Sequence, residues 1–216
     1  MPTINSWASQ NPAEVAKGGT GLNNAGTAYG VLAAGTTGTS AFQNIGVGSA
    51  GQVLTSNGAG VLPSFQGGAK PEFYATASAD VLNATGNGVS VNPVVFGTVV
   101  FDTNSNFSGN VFTAPTTGKY FLSATVRLSN VQSNHTVIDF GIETTNRIYV
   151  CQSGNPATTR DANTNVSYTV NTLSNMNAGD TAKVFVGVYN GSQVITISGQ
   201  LVGFLDYTYF SGFQVS

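Results

Sequence analysis

Residues 112–129 read FTAPTTGKYFLSATVRLS. From Tyr120 onwards, Tyr120, Leu122, Ala124, Val126 and Leu128 alternate with Phe121, Ser123, Thr125, Arg127 and Ser129. A period of two belongs to a β-strand with one face on a core. The same pattern recurs downstream, where Ile138, Phe140 and Ile142 alternate with Asp139, Gly141 and Glu143. Val184, Val186 and Val188 repeat it and run into Asn190-Gly191, a hairpin signal. Asn177-Ala178-Gly179-Asp180 reads as another turn. No convincing amphipathic helix interrupts the series; residues 12–17 make barely one turn. Short strands at this spacing predict an all-β jelly-roll sandwich over residues 72–216.

The chain before that point differs in kind. No charged residue lies between Lys17 and Lys70, and 14 of the 27 glycines fall there. Glycine loses much conformational freedom on ordering, and short apolar words such as Tyr29-Gly30-Val31-Leu32 and Gln52-Val53-Leu54 cannot close a core. A typical disordered tail would carry more charge and fewer apolar residues. Apolar words separated by Gly, Thr, Asn and Ser predict short strands that pair between chains, a Gly-rich interchain β shaft. The whole chain is 7% charged against about 25% for a soluble domain. Its formal net charge of −2 gives no electrostatic reason to expect nucleic acid or an anionic membrane as a partner.

Residues 112–122 bring a resemblance into view. A Phe followed after five residues by Gly-x-Tyr, here Phe112, Gly118 and Tyr120, resembles the signature strand of the complement subcomponent q globular head. That family is related to the tumour necrosis factor jelly roll. Val95-Phe96, Asp102 and Phe107 match its upstream apolar pair, acidic or amide residue and aromatic. The distance from Phe107 to Phe112 is short, so a trimmed loop is expected between them. Leu122 stands where a Phe is common, and 177–180 resembles the family's Ala-Gly-Asp turn. Tyr209-Phe210-Ser211-Gly212-Phe213 resembles its closing Phe-Ser-Gly-Phe strand. The resemblance implies a homotrimer. Tyr207, Tyr209 and Phe213 share one strand face and Phe210 takes the other. One sandwich cannot bury both faces, and in the resembling family the neighbouring protomer covers the outer one. Tyr207, Tyr209, Phe210 and Phe213 are therefore the expected trimer-interface residues.

A second resemblance covers the shaft. Lys17-Gly-Gly-Thr-Gly21, Ala28-Tyr-Gly-Val-Leu32 and Gly51-Gln-Val-Leu-Thr-Ser-Asn-Gly58 are similar to phrases repeated in bacteriophage tail-fibre proteins. It implies a short trimeric fibre on a virion. The expected organisation is an N-terminal attachment segment (1–17) that contacts tail or spike proteins, a shaft (18–71) and a jelly-roll head (72–216). The expected function is recognition of a host-surface glycan or protein. A purely structural fibre cap or decoration protein is the alternative, followed by a trimeric adhesin on a bacterial surface. The N-terminus has neither a basic start nor an apolar run, so no signal peptide is expected. No window is long and apolar enough to insert in a membrane as a helix.

Chemistry-bearing motifs have bland readings. Gly46-Val-Gly48-Ser-Ala-Gly51 has the spelling of a dinucleotide loop, but Gly58 and Gly60 break any following helix and no acidic residue comes about 20 positions later. Asp139 and Glu143 on one strand would stand ~13 Å apart at strand rise, beyond the roughly 5 to 9.5 Å of glycoside hydrolysis. One His and one Cys cannot make a zinc site within a chain, and Cys151 reads as a buried small apolar residue. Neither enzyme activity, cofactor nor metal is expected. Binding is expected on the head loops 130–136, 153–165 and 189–193, since loops tolerate variation while strands are committed to the core. The candidate contacts are His135, read as an exposed loop histidine, with Asn155, Arg160, Asp161, Tyr189 and Asn190.

Overall fold

The computed structural model describes residues 20, 22, 27–37, 40–68, 70–199 and 205–215, apart from the side chains of 151 and 152. The expected attachment segment and the Cys151 side chain lie outside the described residues. The chain divides into two compact units, Met1–Ala69 and Lys70–Ser216.

In the first unit β1 (Val31–Ala33) pairs antiparallel with β2 (Gln43–Gly46), and β3 (Gln52–Thr55) with β4 (Ser64–Gly67). The expected short strands exist, and among the described residues each pairs with one strand of its own chain. The connections supply the turns that close these hairpins. Asn57 ties the β3–β4 loop by donating from Nδ2 to the Leu62 carbonyl at 2.7 Å and accepting from Gln66 Nε2 at 2.9 Å. Gly48 has a positive φ of 63° and lies so close to the Phe65 ring that a Cβ would come within 2.7 Å of it. A two-stranded hairpin is marginal alone. Leu32, Val53 and Leu54 remain exposed on these, Val53 by 57%.

The second unit carries β5 (Glu72–Thr76), β6 (Val81–Thr85), β7 (Ser90–Val91), β8 (Thr98–Asp102), β9 (Phe107–Ser108), β10 (Val111–Thr113), β11 (Gly118–Ser129), β12 (Val137–Thr144) and β13 (Ile148–Gly154). After one helical turn, α1 (Pro156–Thr159), come β14 (Val166–Met176), β15 (Thr181–Tyr189), β16 (Ile195–Ile197) and β17 (Tyr209–Gln214). One sheet runs β6-β16-β11-β17-β5-β8, with β14 along the other side of β11. The second runs β13-β12-β15-β10-β9, with β7 on β15. From β10 to β17 the chain crosses repeatedly between the sheets. This is the antiparallel jelly-roll sandwich that the alternating pattern predicts.

The alternation decides which side chains meet. Tyr120, Leu122, Ala124, Val126 and Leu128 of β11 are all fully buried, as are Ile138, Phe140 and Ile142 of β12 and the three β15 valines. At one end of the core, Phe73 stacks on Phe112 at 4.6 Å and Phe107 at 5.0 Å and meets Phe210 edge-on at 4.9 Å. Tyr120 joins this cluster because its hydroxyl donates to the Thr116 carbonyl at 2.7 Å, which removes the cost of burying it. The Phe-Ser-Gly-Phe word now has a steric reason. Phe210 and Gly212 face inward, and a Cβ at 212 would stand 2.7 Å from Leu122 Cδ2 and 2.9 Å from Phe73 Cε1.

The short Phe107–Phe112 spacing is a two-residue hairpin. Gly109 and Asn110 both take positive φ, 59° and 66°, which sets Phe107 opposite Phe112. Asn190-Gly191, by contrast, makes no hairpin. Asn190 is left-handed at φ 72°, but β16 joins the sheet opposite β15, and Gly191 N–H donates to the Gly86 carbonyl at 2.9 Å instead.

Candidate functional site

The outer face of the β11 sheet follows from the same parity. Residues that alternate with the core set point away from it: Phe121 and Arg127 on β11, Tyr209 and Phe213 on β17, Tyr74 on β5 and Leu173 on β14. Tyr74 stacks on Tyr209 at 5.6 Å and on Phe101 of β8 at 6.0 Å, while Phe121 meets Phe213 at 5.4 Å. Phe213 is 46% exposed, Phe101 49% and Leu173 55%. A recess of about 220 Å³ lies among Glu72, Tyr74, Phe101, Phe121 and Phe213. Scattered exposed apolar residues are ordinary, but a contiguous patch marks an interaction surface.

One carboxylate is anchored at the edge of this patch. Asp206 Oδ2 accepts from the Tyr74 hydroxyl at 2.9 Å, and Oδ1 accepts from Thr76 Oγ1 at 3.1 Å. Burial, then the hydrogen bond to Asp206 and that carboxylate's charge, pushes the Tyr74 phenol well above its ordinary value, so it remains a donor. Of the four expected interface residues, Tyr207, Tyr209 and Phe213 are partly exposed. Phe210 is fully buried among Phe73, Phe96 and Phe107 of its own chain and cannot contact a neighbour.

The three candidate loops meet at one end of the sandwich. His135 is the link, and it is not exposed: its exposure is 0%. Its Nδ1 accepts from the Gln132 backbone N–H at 2.8 Å, which leaves Nε2 as the donor to the Ser192 carbonyl at 2.9 Å. Its own carbonyl accepts from Ala157 N–H at 3.2 Å. Glycines from two distant segments make room for the ring, since a Cβ at 191 would come within 2.2 Å of it and one at 86 within 2.9 Å. The expectation of a free contact histidine is therefore corrected. The polar heptad around it hides an imidazole that ties 130–136 to 153–165 and 189–193.

The other five candidates are partly spoken for. Asn155 caps α1 by accepting from Ala157 N–H at 3.0 Å, and Arg160 donates to the Val131 carbonyl. Asp161 Oδ1 accepts from the N–H groups of Asn163 and Asn165, each at 2.8 Å. Asn190 Nδ2 donates to Thr136 Oγ1 at 2.8 Å. Tyr189 is half-buried against Gly88 and Gly187. Asn155-Pro156 was a readable helix start, a capping side chain followed by Pro at the first helical position.

Elsewhere Glu143 is occupied, by Lys183 at 3.5 Å and by Asn92 Nδ2 at 2.7 Å. Among the described residues no three His, Cys, Asp or Glu side chains converge as a metal-holding group, and no helix is long and apolar enough to cross a membrane.

Replacing His135 by Ala is expected to lower stability by about 2 to 4 kcal/mol, because a backbone N–H and a carbonyl are left buried without partners. Denaturant titration checks this. An exposed loop histidine would cost less than about 0.5 kcal/mol.

No family model matches the chain, and no curated protein matches it. Among solved structures it is similar to the globular domain of a zebrafish complement 1qA protein, at 16% identity and a TM-score of 0.44, over 68% of this chain and 98% of that one. It is also similar to murine APRIL, at 13% identity and a TM-score of 0.43, over 68% of this chain and all of that one.

Proposed function

We propose that the protein is a short homotrimeric fibre of a viral tail or spike, with the jelly-roll unit as a head that recognises a host cell surface. The observation that carries this reading is the aromatic outer face of the β11 sheet. Tyr74, Phe101, Phe121, Tyr209 and Phe213 form a continuous patch that closed threefold contact would remove from water. The glycine-rich hairpins support a fibre, because their exposed apolar residues gain from further chains packed over them. The words at 17–21, 28–32 and 51–58, similar to tail-fibre phrases, support placement on a virion.

Recognition falls to the loop end organised around His135. Single contacts there are weak in so uncharged a protein, and three heads per fibre raise the affinity through effective concentration. Fluorescently labelled protein is expected to stain susceptible cells and to compete with virus adsorption. A protein that does neither is the structural cap, a reading favoured by the hydrogen bonds that already occupy Asn155, Arg160 and Asp161.

A further inference from the structure

A cleft of about 390 Å³ opens at the far end of the outer sheet face, between Arg127 of β11, Ser167 and Tyr168 at the start of β14, and Thr159, Asp161 and Asn165 of the α1 loop. The volume lies within the roughly 300 to 1,000 Å³ of small-molecule sites. Arg127 is six positions along β11 from Phe121, or about 20 Å at strand rise, so the cleft stands apart from the aromatic patch.

Its charges are arranged unusually. The Arg127 guanidinium lies 4.1 Å above the Tyr207 ring, which fixes its position. Among the described residues that guanidinium donates no hydrogen bond and joins no ion pair. Of the seven Lys and Arg residues, this one stands in a cleft on an aromatic shelf with its fork of donors unengaged among the described residues.

Across the cleft, Asp161 is the counterpart. Its two backbone N–H bonds go to Oδ1, and Oδ2 accepts only from Asn165 Nδ2, at 3.3 Å. The Asn165 backbone N–H chiefly, with the Arg127 charge as a lesser cause, holds this carboxyl below the usual carboxylate range. It stays ionised yet does not pair with Arg127. Thr159 Oγ1 and the Tyr168 hydroxyl, which also line the cleft, share a hydrogen bond of 2.8 Å. Burial pushes the Tyr168 phenol up, against a smaller opposing effect of Thr159, so it remains protonated.

We infer that this cleft binds a carboxylate-bearing sugar residue, with the sugar carboxylate on the Arg127 fork and a sugar hydroxyl donating to Asp161 Oδ2. Guanidinium matches a carboxylate with two parallel hydrogen bonds. Asp161 then rewards a ligand that brings hydroxyl donors as well as one negative charge. A phosphate dianion meets repulsion from Asp161, and a neutral sugar leaves the Arg127 charge unanswered. The inference deepens the host-recognition reading and rests on it.

The test uses full-length protein, titrated by calorimetry and saturation-transfer NMR with N-acetylneuraminic acid and glucuronic acid, and with glucose and inorganic phosphate as controls. Both or either acidic sugar is expected to bind and glucose not to. Arg127→Gln is expected to weaken acidic-sugar binding about tenfold or more, and Asp161→Asn several-fold, with mass and melting temperature unchanged. Should Arg127→Gln unfold the protein, Ser167→Trp fills the cleft from the strand surface and is expected to abolish binding. The inference is overturned if neither acidic sugar binds, if Ser167→Trp or Arg127→Gln binds as the parent does, or if phosphate displaces the sugar equally well. It is also overturned if Arg127→Gln dissociates the oligomer, since Arg127 then serves a neighbouring protomer. Cell staining by the parent protein separates the two readings: a parent that stains cells but binds neither acidic sugar sinks the cleft and keeps host recognition, and a parent that binds an acidic sugar but stains no susceptible cell sinks host recognition and keeps the cleft.

Discussion

Full-length protein at micromolar concentration is expected to sediment at three times the 22.1 kDa chain mass, and Phe213→Asp to return it to a single chain. Phe213 is on the outer face of β17 and makes its ring contact with Phe121, so an Asp there costs the isolated sandwich little. In a threefold contact the same change buries three carboxylates without partners. Each such charge costs several kcal/mol in a protein interior, more than a standard interface can absorb. Circular dichroism of the variant is expected to keep its β signature while sedimentation gives one chain mass. A parent protein that sediments as a monomer removes the threefold assembly, and with it the fibre.

Phe73→Ala is expected to cost about 3 to 5 kcal/mol, because the ring it deletes is the centre of the stack with Phe107, Phe112 and Phe210. Gly212→Ala is expected to cost about 1 to 3 kcal/mol for the opposite reason, since its Cβ has no space between Phe73 and Leu122. Combined, the two changes partly compensate, as the new methyl enters the volume the ring vacated. Urea titration of the two single variants and the double variant measures this, and additivity within about 0.5 kcal/mol would show that Phe73 is not what excludes a side chain at 212.

Local pattern made much of the head legible. Every second residue of 120–128 is fully buried because a strand in a two-layer sandwich has one inside, and hydrophobic alternation is the direct record of that. The tight Phe107–Phe112 connection was legible for a similar reason, since its length leaves room only for a hairpin. Asn190-Gly191 misled because only Asn190 is left-handed, and one such residue fixes a turn without fixing what the chain pairs with afterwards. His135 could not be read at all. Its burial depends on space left by Gly86 and Gly191 and on the Ser192 carbonyl, all some fifty residues away in sequence.

The glycine-rich strands show another limit. Apolar words between turns say that strands form, but a hairpin within one chain and a ladder between chains leave the same trace. The outer face divides similarly. The parity of Tyr209, Phe210 and Phe213 was plain, yet which side faces the core was settled by Gly212, the one residue on β17 small enough to lie under Phe73. The Arg127 cleft draws on β11, the α1 loop, β14 and Tyr207, a convergence that no single stretch of sequence announces.

The order of strands has a consequence for how the protein is made. β17 lies between β5 and β11, so the first and last strands of the head are hydrogen-bonded neighbours separated by nearly the whole unit. A ribosome releasing this chain delivers β5 early and β17 last, and until Gln214 has cleared the exit tunnel the sheet has a gap in its middle. Folding of the head therefore waits for β17 to emerge rather than proceeding strand by strand. A nascent chain cut short upstream of Tyr209 lacks both the lid on its own core and the strand that displays Tyr209 and Phe213. A chain that stops before Gln214 leaves β5 and β11 unbridged, which makes strand order a check on the completeness of the head.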